Sequence, residues 1–287
     1  MHNRRGVFVW KGVVLDIHAK LRSLRTSSLI VTIFAAALVI TGLTQLTFGA
    51  IAVSDEYDRI ERLEEQIRPR IYYGYEAEYA ARQAEYNRSS SAFFLSGRFL
   101  ADADEFSWTD KSALTFLALL ASAFGFMISA MAWVYRAHAN IAEAGVRPKF
   151  PPGKAVAAYL LPIANLFVPF EAMRELYNRS HGENEDFAHS PVDDVTAWWT
   201  AMLVGLLILS AMLAKLFVDA ATALVIMTPL WMEYVIIAFS VVLLLGAAYL
   251  FSALTRKITR AQEEWLHEIA ETAEDLPDPP RMTVTVR

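Results

Sequence analysis

The sequence predicts an all-α, polytopic membrane protein with four transmembrane helices, a helical exterior hairpin and a re-entrant or interfacial pair of cytoplasmic helices. Three observations carry this prediction. Apolar residues make up 55% of the 287 and charged residues only 20%, for a mean hydropathy of +0.31, which is too apolar for an ordinary soluble domain. Four apolar runs are long enough to cross, as helices, a hydrocarbon layer of about 30 Å. Lys and Arg are numerous at both ends of the chain and absent from the connection 219–233, which sets an orientation.

Residues 1–27 open the chain on the cytoplasmic side. The first 25 residues hold six Lys/Arg against one acid, Asp16. Phe8, Val14, Leu15, Leu21 and Leu24 fall near one helical face with Lys11, Lys20, Arg22 and Arg25 interleaved, the pattern of a basic amphipathic helix resting on anionic lipid. The first span, 28–53, is uncharged from Ser28 to Val53. Ala50-Ile51-Ala52 has the form of a cleavage site, but the apolar stretch exceeds the roughly 7 to 15 residues of a signal h-region, so the span is read as an uncleaved anchor.

The exterior loop 54–110 starts with acid-before-base pairs at i,i+4: Asp55 with Arg59, Asp58 with Arg62, Glu64 with Arg68. The first helix therefore continues out of the membrane at least to Pro69. An apolar and aromatic stripe at 60, 63, 67, 71, 75 and 79 follows, bent near Pro69 and Gly74. Tyr72, Tyr75, Tyr79 and Tyr86 make the loop Tyr-rich. Such residues either pack the exterior helices together or form a docking face for a partner. Phe93, Phe94, Leu95, Phe99 and Leu100 form a patch that returns the chain to the membrane surface.

The second span, 111–135, is uncharged from Ser112 onward and carries a small-residue ladder, Ala121, Gly125 and Ser129, suited to close helix packing within the bundle. Gly42 and Gly49 add a similar repeat to the first span. The cytoplasmic loop 136–195 contains an apolar stretch, Ala155 to Phe170, that tempts a fifth crossing. A fifth crossing would place Arg256, Lys257 and Arg260 outside, against the charge bias, and Pro162, Asn165 and Pro169 interrupt the helix. The reading is a short helix, a break from Pro162 to Val168, and a second helix with Pro169 in its first turn. Asn165 is expected to satisfy backbone groups freed by the break. The third span, 196–218, contains one charge, Lys215, expected to snorkel to the interface with Asp219 a turn beyond. A short exterior connection, 219–233, a fourth span, 234–255, and a cytoplasmic tail, 256–287, complete the chain.

Lys and Arg number six in the N-terminal segment, six in 136–195, five in the tail and none in 219–233, which puts both termini in the cytoplasm. The exterior loop 54–110 runs against this with seven Arg beside thirteen Asp/Glu, but at 57 residues it is near the length where loop charge stops mattering. Trp108, Trp133, Trp198, Trp199 and Trp231 fall at span boundaries as interfacial aromatics.

The chemistry legible in the chain is sparse. There is no Cys, which removes thiolate metal sites and cysteine nucleophiles, and all six His lie outside the spans. No zincin, nucleophile-elbow, phosphate-loop or dinucleotide motif occurs, and no Asp, Glu or His sits mid-span, as a coupled transporter normally needs. His138, Glu143 and Arg136 read as the solvated positive end of the second span. The run from His181 to Asp194 reads as a solvated loop. A net charge of −5 argues against nucleic acid. No catalytic, cofactor-binding or metal-binding residue is assigned.

One block carries a resemblance. Trp133-Val134-Tyr135-Arg136-Ala137-His138-Ala139-Asn140, then Phe150, Pro152-Gly153, Pro162-Ile163-Ala164-Asn165-Leu166, Pro169, and Ala172-Met173-Arg174-Glu175 resemble the signature of the bacterial membrane family known as domain of unknown function 4328, over roughly Ser112 to Thr255. Lys154 stands where an aromatic often follows the Pro-Gly pair, and the Tyr-rich exterior loop is longer than in a minimal member. The resemblance implies a four-span inner-membrane protein and brings no activity with it. The expected function is a non-enzymatic accessory or scaffolding subunit, in contact with lipid and with other membrane subunits or a second copy. The alternative is a channel or facilitator lined by the break around Asn165, with Lys154, Glu171 and Arg174 at its mouth.

Overall fold

The computed structural model describes residues 11–67, 94, 111–144, 147–161, 163–222 and 228–274. The expected docking tyrosines, Tyr72, Tyr75, Tyr79 and Tyr86, lie outside the described residues, as do Pro162 and nearly all of the exterior hairpin. The described chain is helical, in the order α1 (Lys11–Ile67), α2 (Lys111–Glu143), α3 (Pro152–Leu160), a 3-10 turn (Ala164–Leu166), α4 (Val168–Ser180), a 3-10 turn (Glu185–Phe187), α5 (Asp193–Ala221) and α6 (Leu230–Glu274). Four of these, α1, α2, α5 and α6, contain stretches long and apolar enough to cross a membrane.

Proline placement explains most of the boundaries. No proline interrupts 11–67, so residues 11–27 of the basic amphipathic segment and the first span form one helix, which ends at Ile67, before Pro69. Pro152 occupies the first turn of α3 and Pro169 the first turn of α4, positions where the missing N–H removes no helical bond. Helix α4 ends at Ser180, and Gly182, with a φ of +77°, supplies the left-handed turn that follows. Asp193 and Asp194 open α5, and Glu233 lies in the first turn of α6, where acidic groups complement the helix dipole.

The chain divides into two compact units. The first comprises Met1–Val31, Ser129–Val195 and Ala253–Arg287; the second comprises Thr32–Ile128 and Thr196–Ser252. The apolar spans read from the sequence fall mostly in the second.

Within the second unit, helices approach closely at glycines. A Cβ on Gly125 would collide with the Phe34 ring, and one on Gly42 would come within 2.8 Å of Leu245. Ser240 Oγ donates to the Gly205 carbonyl at 2.9 Å, and the Thr41 and Ser122 hydroxyls bond at 3.1 Å. Phe251 contacts Phe126 edge-on at 5.8 Å and Trp198 at 5.4 Å. Tyr234 OH donates to the Leu46 carbonyl, and Phe94 packs against the cluster of Val53 and Leu230. Ile40, Phe124, Leu207, Phe217 and Phe239 are exposed, a surface that suits lipid and not water.

Two sequence expectations change here. The ladder of Ala121, Gly125 and Ser129 is rotated: Gly125 packs and Ser129 is buried, but Ala121 is exposed and Ser122 takes the inward position. An i,i+4 ladder drifts by about 40° per step on a helix of 3.6 residues per turn, whereas a seven-residue spacing drifts by only about 20°. Lys215 does not snorkel. Its ammonium binds Asp219 at 2.6 Å and Glu233 at 2.8 Å, with both carboxylates buried and Thr228 donating to Glu233. Burial of these acids makes an ion pair the cheaper arrangement for the lysine.

Candidate functional site

The motif residues gather in the first unit. From Trp133 onward, α2 buries Trp133, Val134, Ala137, His138, Asn140 and Ile141, a helical stripe. From α6 come Leu254, Ile258 and Leu266 at four-residue steps, with Gln262 in the same register and wholly buried. Helix α4 contributes Pro169, Ala172, Met173, Glu175, Leu176, Asn178 and Ser180. A Gln in an otherwise apolar stripe was the available signal for a buried polar junction, and the sequence reading missed it.

Gln262 joins three elements. Its Nε2 donates to the Ala137 carbonyl of α2 and to Ser180 Oγ of α4, each at 3.1 Å, while its Oε1 accepts from Asn140 Nδ2 at 3.4 Å. One turn away, Trp133, fully buried, donates Nε1–H to Thr259 Oγ1 at 3.1 Å. Arg136 donates to Ser27 Oγ, and Lys20 pairs with Glu143, so α1 is tied to α2 as well. Thus Trp133, Arg136 and Asn140 all serve helix-to-helix bonds. Asn178, also unanticipated, places Nδ2 within 3.0 Å of the Ala188 and Ser190 carbonyls and 3.3 Å of that of Phe187, holding the loop after α4 in place.

The segment from Lys149 to Ser180 matches the expected helix, break and helix. Lys149 pins its entrance: its backbone N–H donates to Glu175 Oε1 at 2.8 Å and its ammonium to Glu171 Oε2 at 2.9 Å, a bond that lowers the Glu171 pKa. The Arg174 guanidinium sits 5.2 Å from the Phe170 ring centre, a cation–π distance. Gly153 has open space around it, so no close approach explains that glycine. At the break, the backbone satisfies itself through Asn165 N–H to Leu161 at 2.7 Å, and Leu166 and Phe167 N–H to Ile163 and Ala164 at 3.2 Å each. The Asn165 side chain does not serve the break as expected, since its Oδ1 is buried and accepts no bond. The break carries an apolar tip: Leu160, Leu161, Leu166, Phe167 (66% exposed) and Ile163 (81% exposed).

His138 is the second correction at this site. It is buried, not solvated, and it does not cluster with Glu143 and Arg136, whose side chains turn to Lys20 and Ser27. Its Nδ1 donates to the Val134 carbonyl at 2.9 Å, and its buried Nε2 makes no hydrogen bond. Burial holds the imidazole pKa below its ordinary value, partly offset by nearby Glu175, whose Oε2 also accepts nothing. Among the described residues, no group of three or more His, Asp or Glu side chains is arranged to hold a metal ion.

The chain matches no curated protein and no solved structure. The family described as domain of unknown function (DUF4328) matches residues 99–260, more than half of the chain, and this match takes in α2 through most of α6 and every motif residue from Trp133 to Glu175. A chain whose matched segment holds that motif in order, among helices long and apolar enough to cross a membrane, belongs to the DUF4328 family.

Proposed function

We propose that this protein is a non-enzymatic accessory or scaffolding subunit of a larger assembly in a bacterial cytoplasmic membrane, with both termini in the cytoplasm. The observation that carries the reading is the use of the motif's polar side chains. Trp133, Arg136 and Asn140 bond to Thr259, Ser27 and Gln262, and Glu175 receives the backbone of Lys149. These bonds fix helices against one another, which is the work of a shaped support and not of a reaction centre. The exposed apolar tip from Leu160 to Phe167 suits insertion into the membrane surface, and the Tyr-rich loop supplies a face for other subunits.

Purification from native membranes with mild crosslinking and mass spectrometry tests this. A stoichiometric companion is expected, and Tyr75→Ala with Tyr79→Ala is expected to release it without loss of expression. A monomer with no companion overturns the proposal.

A channel through the break has one observation in its favour, the unsatisfied Asn165 Oδ1. Under that reading, vesicles containing the protein pass a small solute, and Asn165→Leu abolishes the flux. Absence of flux for any ion or small solute retires it.

A further inference from the structure

The tip between α3 and α4 exposes Leu160, Leu161, Ile163, Leu166 and Phe167. Among its described residues Asn165 is the polar one, and its Oδ1 is buried, so the outer surface of the tip is apolar. The N–H groups of Asn165, Leu166 and Phe167 donate to carbonyls within the tip, those of Leu161, Ile163 and Ala164. Backbone that bonds to itself in this way does not rely on water, which is the condition for residence in lipid.

Contacts within the first unit set the level of α4, into which the tip leads at Val168. Ala172 and Ser180 are eight residues apart, about 12 Å along the helix. Both nevertheless meet α2 at adjacent residues: Ala172 adjoins the His138 imidazole, and Ser180 shares the Gln262 amide with the Ala137 carbonyl. A helix that followed α2 would advance along it by the same distance, so α4 crosses α2, and where α2 traverses a membrane α4 runs along the surface. Ala137 and His138 are two and three residues beyond Tyr135, the end of the second span, hence about 3–4.5 Å past the hydrocarbon edge and inside a headgroup layer of roughly 5–7 Å. Tyr177 of α4 lies within electrostatic reach of Lys257, two residues beyond the end of the fourth span.

We infer that Leu160 to Phe167 is a membrane wedge, whose apolar side chains embed among the acyl chains of the leaflet that α2 and α6 leave, without crossing it. The occupant of this surface is phospholipid, because a soluble protein partner would have to displace lipid to reach an apolar tip at that level. Lys154, exposed on α3 six residues and about 9 Å before Leu160, can hold its ammonium among lipid phosphates while the tip is in the acyl layer. The inference deepens the surface-insertion part of the proposed function and rests on that part alone, not on a companion subunit.

The test uses the full chain, which contains no Cys, so one introduced thiol carries one label. Ile163→Cys, Phe167→Cys and Lys154→Cys are labelled with a nitroxide, alongside Phe124→Cys as the reference exposed within a span and Glu183→Cys as the reference exposed in the loop after α4. Each variant is purified alone and placed in nanodiscs of phosphatidylcholine and phosphatidylglycerol, one copy per disc, after gel filtration confirms that it remains folded. Relaxation by oxygen, which concentrates in lipid, and by a water-soluble nickel chelate reports immersion. The oxygen-to-nickel ratio at 163 and 167 is expected to match that at 124 and to be several-fold above that at 183. Nickel access at 163 and 167 equal to that at 183 overturns the wedge. Immersion of the label at 154 to the depth of 163 overturns the placement of Lys154 among phosphates. Ile163→Asp with Phe167→Asp should expose a label carried by Leu166→Cys to nickel, and a label that stays immersed there overturns the role given to the apolar side chains. A companion found or missing in native membranes leaves these readings unchanged, so the two proposals fail separately.

Discussion

Replacing Gln262 by Leu removes a side chain that bonds to α2 and α4 at once. Leu is close to Gln in volume, so the substitution changes hydrogen bonding with little change in packing. Two bonds at 3.1 Å and a longer one at 3.4 Å are lost. Each is worth about 1 kcal/mol net, and the Asn140 amide, left buried without its acceptor, adds about 1–3 kcal/mol. Against this stands the benefit of burying an apolar side chain in place of an amide, which lowers the net cost to roughly 2–4 kcal/mol. At about 2–4 °C per kcal/mol for a chain of this size class, the midpoint of thermal unfolding should fall by about 4–16 °C. The assay is thermal denaturation of the full chain in detergent, followed by circular dichroism. A double variant, Gln262→Leu with Asn140→Leu, should recover part of the loss, because replacing both partners removes the orphaned amide. An unchanged midpoint in the single variant, or strictly additive losses in the double, would refute the assignment of Gln262 as the junction.

Gly125→Ala places a methyl group against the Phe34 ring and should cost about 1–3 kcal/mol by overpacking; Phe34→Ala in the same chain should relieve it, and thermal midpoints of the three variants decide. Lys215→Met leaves both Asp219 and Glu233 without their cation and should cost about 3–5 kcal/mol, more than Glu233→Gln, which keeps the Lys215–Asp219 pair. Equal effects on the thermal midpoint would count against the triad. For His138, burial lowers the folded-state pKa below the unfolded value of about 6.5, so the unfolded chain binds more protons in the interval between the two. Stability should therefore be full above about pH 6.5 and fall as pH drops toward the depressed folded value. Midpoints measured from pH 8 to 5 should decline less steeply in His138→Gln, and parallel profiles would remove His138 as the cause.

Local signals were the ones legible in the sequence. Pro152, Pro162 and Pro169 delimited the helix, break and helix of the cytoplasmic loop because proline acts on its own backbone and on the residue before it. The spans were legible for the same reason, since length and apolarity are properties of one segment. Lys215 shows where such reasoning stops. Its neighbour Asp219 is four residues away and visible on the same helix, but Glu233 lies across a connection on the next helix, and no periodicity connects the two. His138 looked solvated because it follows the end of a span and is flanked by Arg136 and Glu143. Its burial is imposed by α4, with Ala172 and Glu175 near the imidazole, some 35 residues downstream.

The same distinction bears on what the family motif means. Trp133, Asn140 and Glu175 are spaced in sequence with no pattern that a catalytic or ligand-binding arrangement would require, yet each ends at a partner on another element: Thr259, Gln262 and the backbone of Lys149. Polar side chains placed this way hold a bundle in one arrangement, because a buried donor or acceptor that loses its partner costs more than an apolar contact that slips. In the second unit, packing at small residues such as Gly42, Gly125 and Gly205 brings backbones together. In the first, a specific polar network keeps the ends of α2, α4 and α6 in register. That account ranks the substitutions: loss of Gln262 or Trp133 should loosen the first unit before it affects the packing at Gly125 and Gly205, and limited proteolysis that cut the second unit first would contradict it.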